Sequence, residues 1–78
     1  MKKIEAQQIS DNIVDVLAEI RREKKVTPYR LAKDTGLSHS TISYLERHKL
    51  KPTMYLLIII ADYLGADLGA IISKVMKN

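Results

Sequence analysis

The chain has 78 residues, enough for one domain and close to the lower limit for folding on a hydrophobic core alone. It is 46% hydrophobic and 28% charged and contains no cysteine, which excludes a disulfide framework and a thiolate zinc site. Its start lacks the apolar segment of a signal peptide, and its longest apolar run, 54–61, is far shorter than the ~20 residues of a membrane span. We therefore expect a cytoplasmic protein with no membrane partner.

The formal net charge of +4 is unevenly distributed. Residues 1–20 contain two lysines and four acidic residues, a net charge of −2. Residues 21–51 contain nine basic and three acidic residues, a net charge of +6, and residues 52–78 are balanced. A concentrated basic segment favours a polyanionic partner such as nucleic acid. The alternative, from charge alone, is a basic face that only keeps the protein in solution.

Apolar periodicity and capping residues predict an all-α fold of five helices. The first helix is amphipathic and ends near Lys24 or Lys25, and residues 1–12 are interpreted as an N-terminal extension. The second helix begins at Thr27, an N-cap residue followed by proline, and ends at Gly36, which favours a left-handed helix end. The apolar residues of the first helix recur at steps of three or four and are Ile9, Ile13, Leu17 and Ile20.

The same kinds of signal predict the remaining three helices. Ser38 caps a third helix that runs to about His48, and Thr53 caps a fourth that ends at Gly65. Asp67 caps a fifth helix. No strand-like alternation persists, and no repeat or low-complexity segment occurs, so residues 1–78 are predicted to form a single helical domain.

The third helix has an unusual composition for a solvent-exposed helix. Between its apolar residues lie serine, threonine, histidine and tyrosine, instead of the glutamate, lysine or glutamine that favour helix formation. Helical periodicity places Thr41, Ile42 and Leu45 on its buried face. The opposite face presents His39, Ser40, Ser43, Tyr44 and Arg47.

Short polar side chains suit a helix that enters the major groove of duplex DNA. The helix backbone must approach the base edges closely, and hydroxyl and imidazole groups can pair with the donors and acceptors there. Long acidic side chains would repel the phosphates. The composition therefore indicates a surface that contacts bases, at some cost in helix propensity.

A resemblance to a known family rests on two segments, VTPYRLAKDTGLSHSTISYLERHKLKP and LLIIIADYLGADLGAII. Over roughly 13–72 the chain resembles the helix-turn-helix family of phage lambda-type repressors and Cro-like regulators, also called the XRE family. The motif lies at about 27–48, where Ala32 lets two helices cross closely and Gly36 supplies the turn between them. Ile42 and Leu45 fix the angle between the two helices.

The resemblance implies a sequence-specific double-stranded DNA-binding transcriptional regulator, most consistent with a repressor, and it implies roles for individual residues. In this family the second motif helix lies in the major groove. Base contacts then fall to His39, Ser40, Ser43 and Tyr44, and phosphate contacts to Thr27, Ser38, Arg47, Lys49 and Lys51.

The resemblance also implies one structural contact, and the chain departs from the family pattern at three positions. The family pairs the positions of Arg21 and Glu46 in a partly buried salt bridge between the first and third helices. Pro28 replaces a frequent glutamine and cannot donate a backbone hydrogen bond. Lys25 and His48 occupy turn positions where glycine is usual, and a positive φ at His48 would carry some strain.

The fourth helix is more apolar than one buried face requires. Leu57, Ile58, Ala61 and Leu64 suffice to face the core. A second apolar stripe at positions that are commonly polar in the family must be covered by something. It consists of Tyr55, Leu56, Ile59 and Tyr63.

Two explanations for this stripe remain open. A second subunit could cover it, so that a homodimer binds an inverted repeat, and this is the interpretation that we favour. Alternatively, the N-terminal extension could cover it through Ile4, Ala6 and Ile9. A dimer also answers a need for specificity, because one recognition helix covers only a few base pairs.

Other classes of function receive little support. His39 and His48 are nine residues apart with no carboxylate at metal-ligand spacing, so no metal and no cofactor are expected. No serine, histidine and aspartate constellation suggests hydrolysis, and the three glycines form no phosphate-binding loop, so an enzyme is not expected. The alternative function is an antitoxin-type module that binds a protein partner through the fourth helix and also binds DNA.

Overall fold

The fold is all-α, as predicted. A computed structural model describes residues 1–77, and no strand occurs among them. The elements are α1 (Lys3–Glu23), α2 (Pro28–Thr35), α3 (His39–Glu46), α4 (Met54–Leu64) and α5 (Leu68–Lys77).

Side-chain caps define where four of the helices begin. The Thr27 hydroxyl accepts a hydrogen bond from the Arg30 amide at 3.1 Å, and the Ser38 hydroxyl accepts one from the Thr41 amide at 3.0 Å. Each bond satisfies an amide in the first turn that has no partner within the helix. Thr53 and Asp67 cap α4 and α5 in the same way. The predicted starts of α2, α3, α4 and α5 are therefore confirmed.

Left-handed residues end α2, α4 and the turns after α1 and α3. Gly36 and Gly65 have φ values of 81° and 67°. Lys25 and His48 have φ values of 59° and 60°, so two residues with a Cβ occupy a conformation that glycine adopts more easily. Because His48 leaves the helical region, α3 ends at Glu46 and not at about His48 as predicted.

The first helix is longer at its start than the sequence pattern indicated. Residues 3–12, interpreted above as part of an extension, form the first turns of α1. The helix is uninterrupted because no proline or glycine occurs before Pro28. Ile9 packs against the core, whereas Ile4 is 75% exposed. The added turns therefore bury little apolar surface near their start.

The core lies between α1, α2, α3 and α4, and α5 covers one side. α5 has no fully buried residue and packs on α1 and α4 through half-buried side chains such as Ile71 and Val75. Close packing of this kind fixes the orientation of α3 relative to the other helices. The buried cluster consists of Ile13, Val14, Leu17, Leu31, Ala32, Ile42, Leu45, Leu57, Ile60, Ala61 and Leu64.

A partly buried ion pair joins α1 to the end of α3. Arg21 Nε donates to Glu46 Oε2 at 2.7 Å, and Arg21 Nη2 donates to Glu46 Oε1 at 2.9 Å. Arg21 Nη1 also donates to the carbonyl oxygen of Val26 at 2.8 Å. This bidentate geometry is the strong form of an arginine–carboxylate contact, and it is the pair that the family resemblance implies.

Within residues 1–77, no single helix is both long and apolar enough to cross a membrane. α4 and α5 taken together have the length and composition of a membrane span, but the two helices are bent by 115° relative to one another.

Candidate nucleic-acid interface

The outer face of α3 is open to solvent. Ile42 and Leu45 are buried on the inner face, and Thr41 is half-buried beside them. On the outer face Ser43 is half-buried, and His39, Ser40, Tyr44 and Arg47 are exposed. The side chains for which base contacts are expected therefore lie together on one accessible surface.

The packing of α2 against α3 holds this surface in place. Leu31 and Ala32 of α2 are buried against Ile42 in the core. The Thr35 hydroxyl donates to the Leu31 carbonyl at 2.7 Å, and the Leu37 amide donates to the same hydroxyl at 3.4 Å. The turn through Gly36 is thus fixed by both packing and hydrogen bonds.

The hydroxyl groups of Thr27 and Ser38, which are expected to contact phosphates, differ in the hydrogen bonds that they already form. The Thr27 oxygen accepts the Arg30 amide, which leaves its hydroxyl hydrogen available for a phosphate oxygen. The Ser38 oxygen accepts the Thr41 amide and also lies 2.7 Å from the Thr41 hydroxyl. The Thr27 hydroxyl hydrogen is therefore available to donate, and that of Ser38 is available when Thr41 is the donor in the bond between their hydroxyls.

Tyr44 and Arg47 form a stacked pair at the C-terminal end of the outer face of α3. The Arg47 guanidinium carbon lies 5.2 Å from the centre of the Tyr44 ring, and its Nε donates weakly to the Ser43 carbonyl at 3.4 Å. This is cation–π geometry, which holds the arginine close to α3. Tyr44, Arg47 and Lys49 together line a shallow depression in the surface.

His48 links the turn after α3 to α1, a contact that sequence reasoning missed. Its Nε2 lies 2.7 Å from Asp15 Oδ1, and its Nδ1 lies 4.0 Å from Asp11 Oδ2. Gln7 Nε2 donates to Asp11 Oδ1 at 2.9 Å, which orients that carboxylate. His48 is 33 residues from Asp15, so no local pattern links them. The sequence showed only that Asp11 and Asp15, four residues apart, share one face of α1.

A second polar link joins α2 to α4. Asp34 Oδ2 accepts the Tyr63 hydroxyl at 2.6 Å and Arg30 Nε at 2.8 Å. The Tyr63 hydrogen bond, followed by the bond from Arg30, lowers the pKa of Asp34 below its ordinary value of 3.8. The same bond to Asp34 raises the pKa of Tyr63 above its ordinary value of 10.0. Tyr63 is therefore engaged within its own chain.

The exposed surface of α4 differs from the stripe deduced from sequence. Leu56 is only 9% exposed, and Tyr63 packs against the core and bonds to Asp34, so neither offers much surface to a partner. Ile58, assigned above to the core, is 53% exposed, and Ile60 takes its place. Tyr55 is 69% exposed, and the N-terminal turns of α1 therefore leave it uncovered.

The helical register explains this correction. Residues 54–60 are all apolar, so the sequence supports several helical stripes equally well. Packing selects the row that passes through Leu57, Ile60 and Leu64, and Ile58 then points away from it.

Comparison with known proteins agrees with this geometry. A helix-turn-helix family model matches residues 17–71. The immunity repressor protein of Bacillus phage phi105 is 34% identical over 55 residues, which are 70% of this chain and 38% of that protein. The chain thus spans well under half the length of this relative. No solved structure matches the chain significantly.

Proposed function

The chain belongs to the lambda-repressor-like helix-turn-helix family, and from this premise we propose that it is a sequence-specific double-stranded DNA-binding transcriptional regulator. We further propose that it is a repressor, as the name of its phage relative suggests, and that it acts as a homodimer on an inverted repeat. The observation that carries the proposal is the exposed polar face of α3, held by the buried Arg21–Glu46 pair.

Base reading falls to the outer face of α3. His39, Ser40 and Ser43 supply short donors and acceptors for the edges of base pairs in the major groove. The Tyr44 ring supplies an apolar surface that suits a thymine methyl group, and its hydroxyl can donate or accept. These contacts determine which duplex sequence is preferred.

Phosphate contacts position the helix without reading sequence. Thr27 donates from the start of α2, and Arg47, Lys49 and Lys51 place positive charge beyond the end of α3. Each phosphate that is neutralised releases condensed counterions, so affinity falls as salt concentration rises. Ser38 donates from the start of α3 when Thr41 supplies the hydrogen of the bond that their two hydroxyls share.

A two-fold dimer supplies the remaining specificity. α3 has eight residues and reaches only a few base pairs, too few to select one site among the competing sites of a genome. Two copies related by a two-fold axis double the site and place the reading helices about 34 Å apart, one turn of duplex.

A second candidate function is an antitoxin-type module that binds a protein partner and also binds DNA. The exposed apolar side chains of Tyr55 and Ile58 are the observation that favours it. Purification of the protein together with its neighbouring gene products distinguishes the two, since only this candidate requires a stoichiometric foreign partner.

Selection of bound duplexes from a random pool tests the proposed function. We expect enrichment of an inverted repeat whose half-sites are one helical turn apart. Binding without enrichment of any sequence, or a preference for single strands, would contradict the proposal.

A further inference from the structure

The turn after α3 is closed by the same backbone bonds as the turn after α1, but it lacks an apolar anchor. The Val26 amide donates to the Arg21 carbonyl at 3.1 Å, and the Lys49 amide donates to the Tyr44 carbonyl at 2.8 Å. Both are Schellman turns, in which the residue after the left-handed one frequently packs on the helix through an apolar side chain. Val26 packs against the core in this way, whereas Lys49 is exposed. The turn after α3 therefore needs another contact to hold it.

The His48 side chain supplies that contact. Within residues 1–77, every polar contact between α1 and the segment 47–53, which joins α3 to α4, is made by His48. Its Nε2 lies 2.7 Å from Asp15 Oδ1, and its Nδ1 lies 4.0 Å from Asp11 Oδ2. The position of this segment relative to α1 thus depends on one imidazole ring.

Two carboxylates face that ring. From α1 these are Asp11 and Asp15, and the other polar side chains that line the depression between α1 and His48 are uncharged amides. On the segment itself the neighbouring charged residues are Arg47 and Lys49, both exposed. A neutral imidazole donates a hydrogen bond from one nitrogen only, whereas the protonated ring donates from both nitrogens and attracts both carboxylates. Protonation therefore tightens the link between α1 and the segment 47–53.

We propose that His48 is a positioning residue for DNA binding, which holds Lys49 and Lys51 in place for their phosphate contacts and holds them more firmly when its ring is protonated. The inference rests on the proposed function, because the two lysines contact phosphates only on duplex DNA. His48 lies between Arg47 and Lys49, so bound phosphates place negative charge near its ring. DNA and the proton therefore each favour binding of the other. Affinity for duplex DNA should rise as pH falls through the range from about 8 to about 5 in which histidine titrates.

The effect of Asp15 separates positioning from simple electrostatics. Removal of an acidic side chain near bound phosphates reduces repulsion, and on electrostatic grounds alone it tightens DNA binding. If the Asp15 carboxylate holds His48, its removal loosens the segment 47–53 and weakens binding instead. Glu19 gives the matched control, because it lies one turn further along α1, is exposed and forms no salt bridge within residues 1–77.

Fluorescence anisotropy on a duplex selected from the random pool measures this sign. At a fixed salt concentration and about pH 6, where histidine is largely protonated, Asp15→Asn should raise the dissociation constant at least about threefold, although it removes a negative charge. Glu19→Gln should not raise it. An Asp15→Asn protein that binds as tightly as the wild type, or more tightly, overturns the proposal.

The pH profile isolates the protonation of His48. The chain has two histidines, and His39 lies on the outer face of α3, so part of the pH dependence of the wild type belongs to His39. His48→Asn keeps a residue that tolerates positive φ but cannot be protonated. Between about pH 8 and about pH 6, the dissociation constant of the wild type should fall at least about threefold more than that of His48→Asn. Parallel profiles overturn the proposal.

Hydrogen exchange in the free protein distinguishes this inference from the proposed function. At about pH 6, the protection of the Lys49 amide should fall at least about threefold in Asp15→Asn and in His48→Asn. The Val26 amide, which closes the matching turn after α1, should keep its protection in both variants. Circular dichroism checks that every variant remains helical.

The outcomes with and without DNA have separate meanings. Unchanged exchange of the Lys49 amide in both variants overturns the inference, whatever duplex the protein binds. If the Lys49 amide loses protection as expected but the wild type selects no duplex sequence, the proposed function is overturned, and with it the role in DNA binding, while the hold of His48 on the segment 47–53 stands.

Discussion

Two arginine–carboxylate pairs involve the helices of the helix-turn-helix, and they differ in almost every physical respect. Arg21 and Glu46 are 25 residues apart, are largely shielded from water and share two hydrogen bonds. Arg30 and Asp34 are four residues apart on the surface of α2 and share one. The first pair joins α1 to α3, whereas both residues of the second pair lie on α2. Position in the fold, and not the type of residue, decides what such a pair contributes.

The buried pair should show the largest effect. Arg21→Ala leaves Glu46 charged and without its partner in a site shielded from water, and we expect a loss of about 3–5 kcal/mol in the free energy of unfolding. Arg21→Ala combined with Glu46→Ala removes both charges and should cost much less than the sum of Arg21→Ala alone and Glu46→Ala alone. Urea denaturation of the four proteins measures this coupling. Simple additivity would show that the pair is not a unit.

The surface pair gives the matched control for that experiment. Arg30→Ala leaves Asp34 hydrated and still bonded to Tyr63, so the midpoint of urea denaturation should move far less than it does for Arg21→Ala. If the two substitutions moved the midpoint equally, burial would not distinguish the pairs.

Substitutions at the two turn residues with positive φ should change the free energy of unfolding by an intermediate amount. Lys25 and His48 have nearly the same backbone conformation, but only His48 bonds to an aspartate through its side chain. Lys25→Gly removes the left-handed strain and should raise the free energy of unfolding by about 1 kcal/mol. His48→Gly should raise it less, or lower it, because the bond to Asp15 is lost as well. Thermal or urea denaturation would contradict this account if His48→Gly were the more stabilising change.

The link between Asp34 and Tyr63 should show the smallest effect, and it depends on pH. A lowered pKa means that the contribution of Asp34 is present above about 3.8 and is lost as pH falls through the lower folded value. A raised pKa means that the contribution of Tyr63 is present below about 10.0 and is lost as pH rises through the higher folded value. Between these limits both groups contribute.

Tyr63→Phe tests this link directly. The substitution should shift the carboxyl titration of Asp34 in an NMR experiment toward its ordinary value, because the largest cause of the lowered pKa is gone. An unchanged titration would mean that Arg30 alone sets the pKa of Asp34.

Local signals in the sequence predict most of this fold. The caps at Thr27, Ser38 and Thr53 and the stop at Gly36 depend on neighbouring residues only, and the structure has them where the pattern placed them. The outer face of α3 was also predicted, since Ile42 and Leu45 fix the register of that helix.

The parts that sequence reasoning missed depend on contacts between distant residues. The bond from His48 to Asp15 spans 33 positions and leaves no periodic trace. In α4 an unbroken apolar run concealed which residues face the core, so Leu56 and Ile58 were assigned to the wrong sides. The Arg21–Glu46 pair was expected from the family resemblance alone and could not be deduced from spacing.

The central claim is that the outer face of α3 reads bases while Lys49 and Lys51, in the segment between α3 and α4, contact phosphates. The direct measurement compares base preference and salt dependence for the wild type, Ser40→Ala, Tyr44→Ala and Lys49→Ala on the duplexes selected from the random pool. We predict that Ser40→Ala and Tyr44→Ala relax the preference at particular positions, at about 1–3 kcal/mol per contact. Lys49→Ala should weaken all duplexes alike and reduce the salt slope by about 1. A change of base preference in Lys49→Ala, with none in Ser40→Ala or Tyr44→Ala, would contradict the claim.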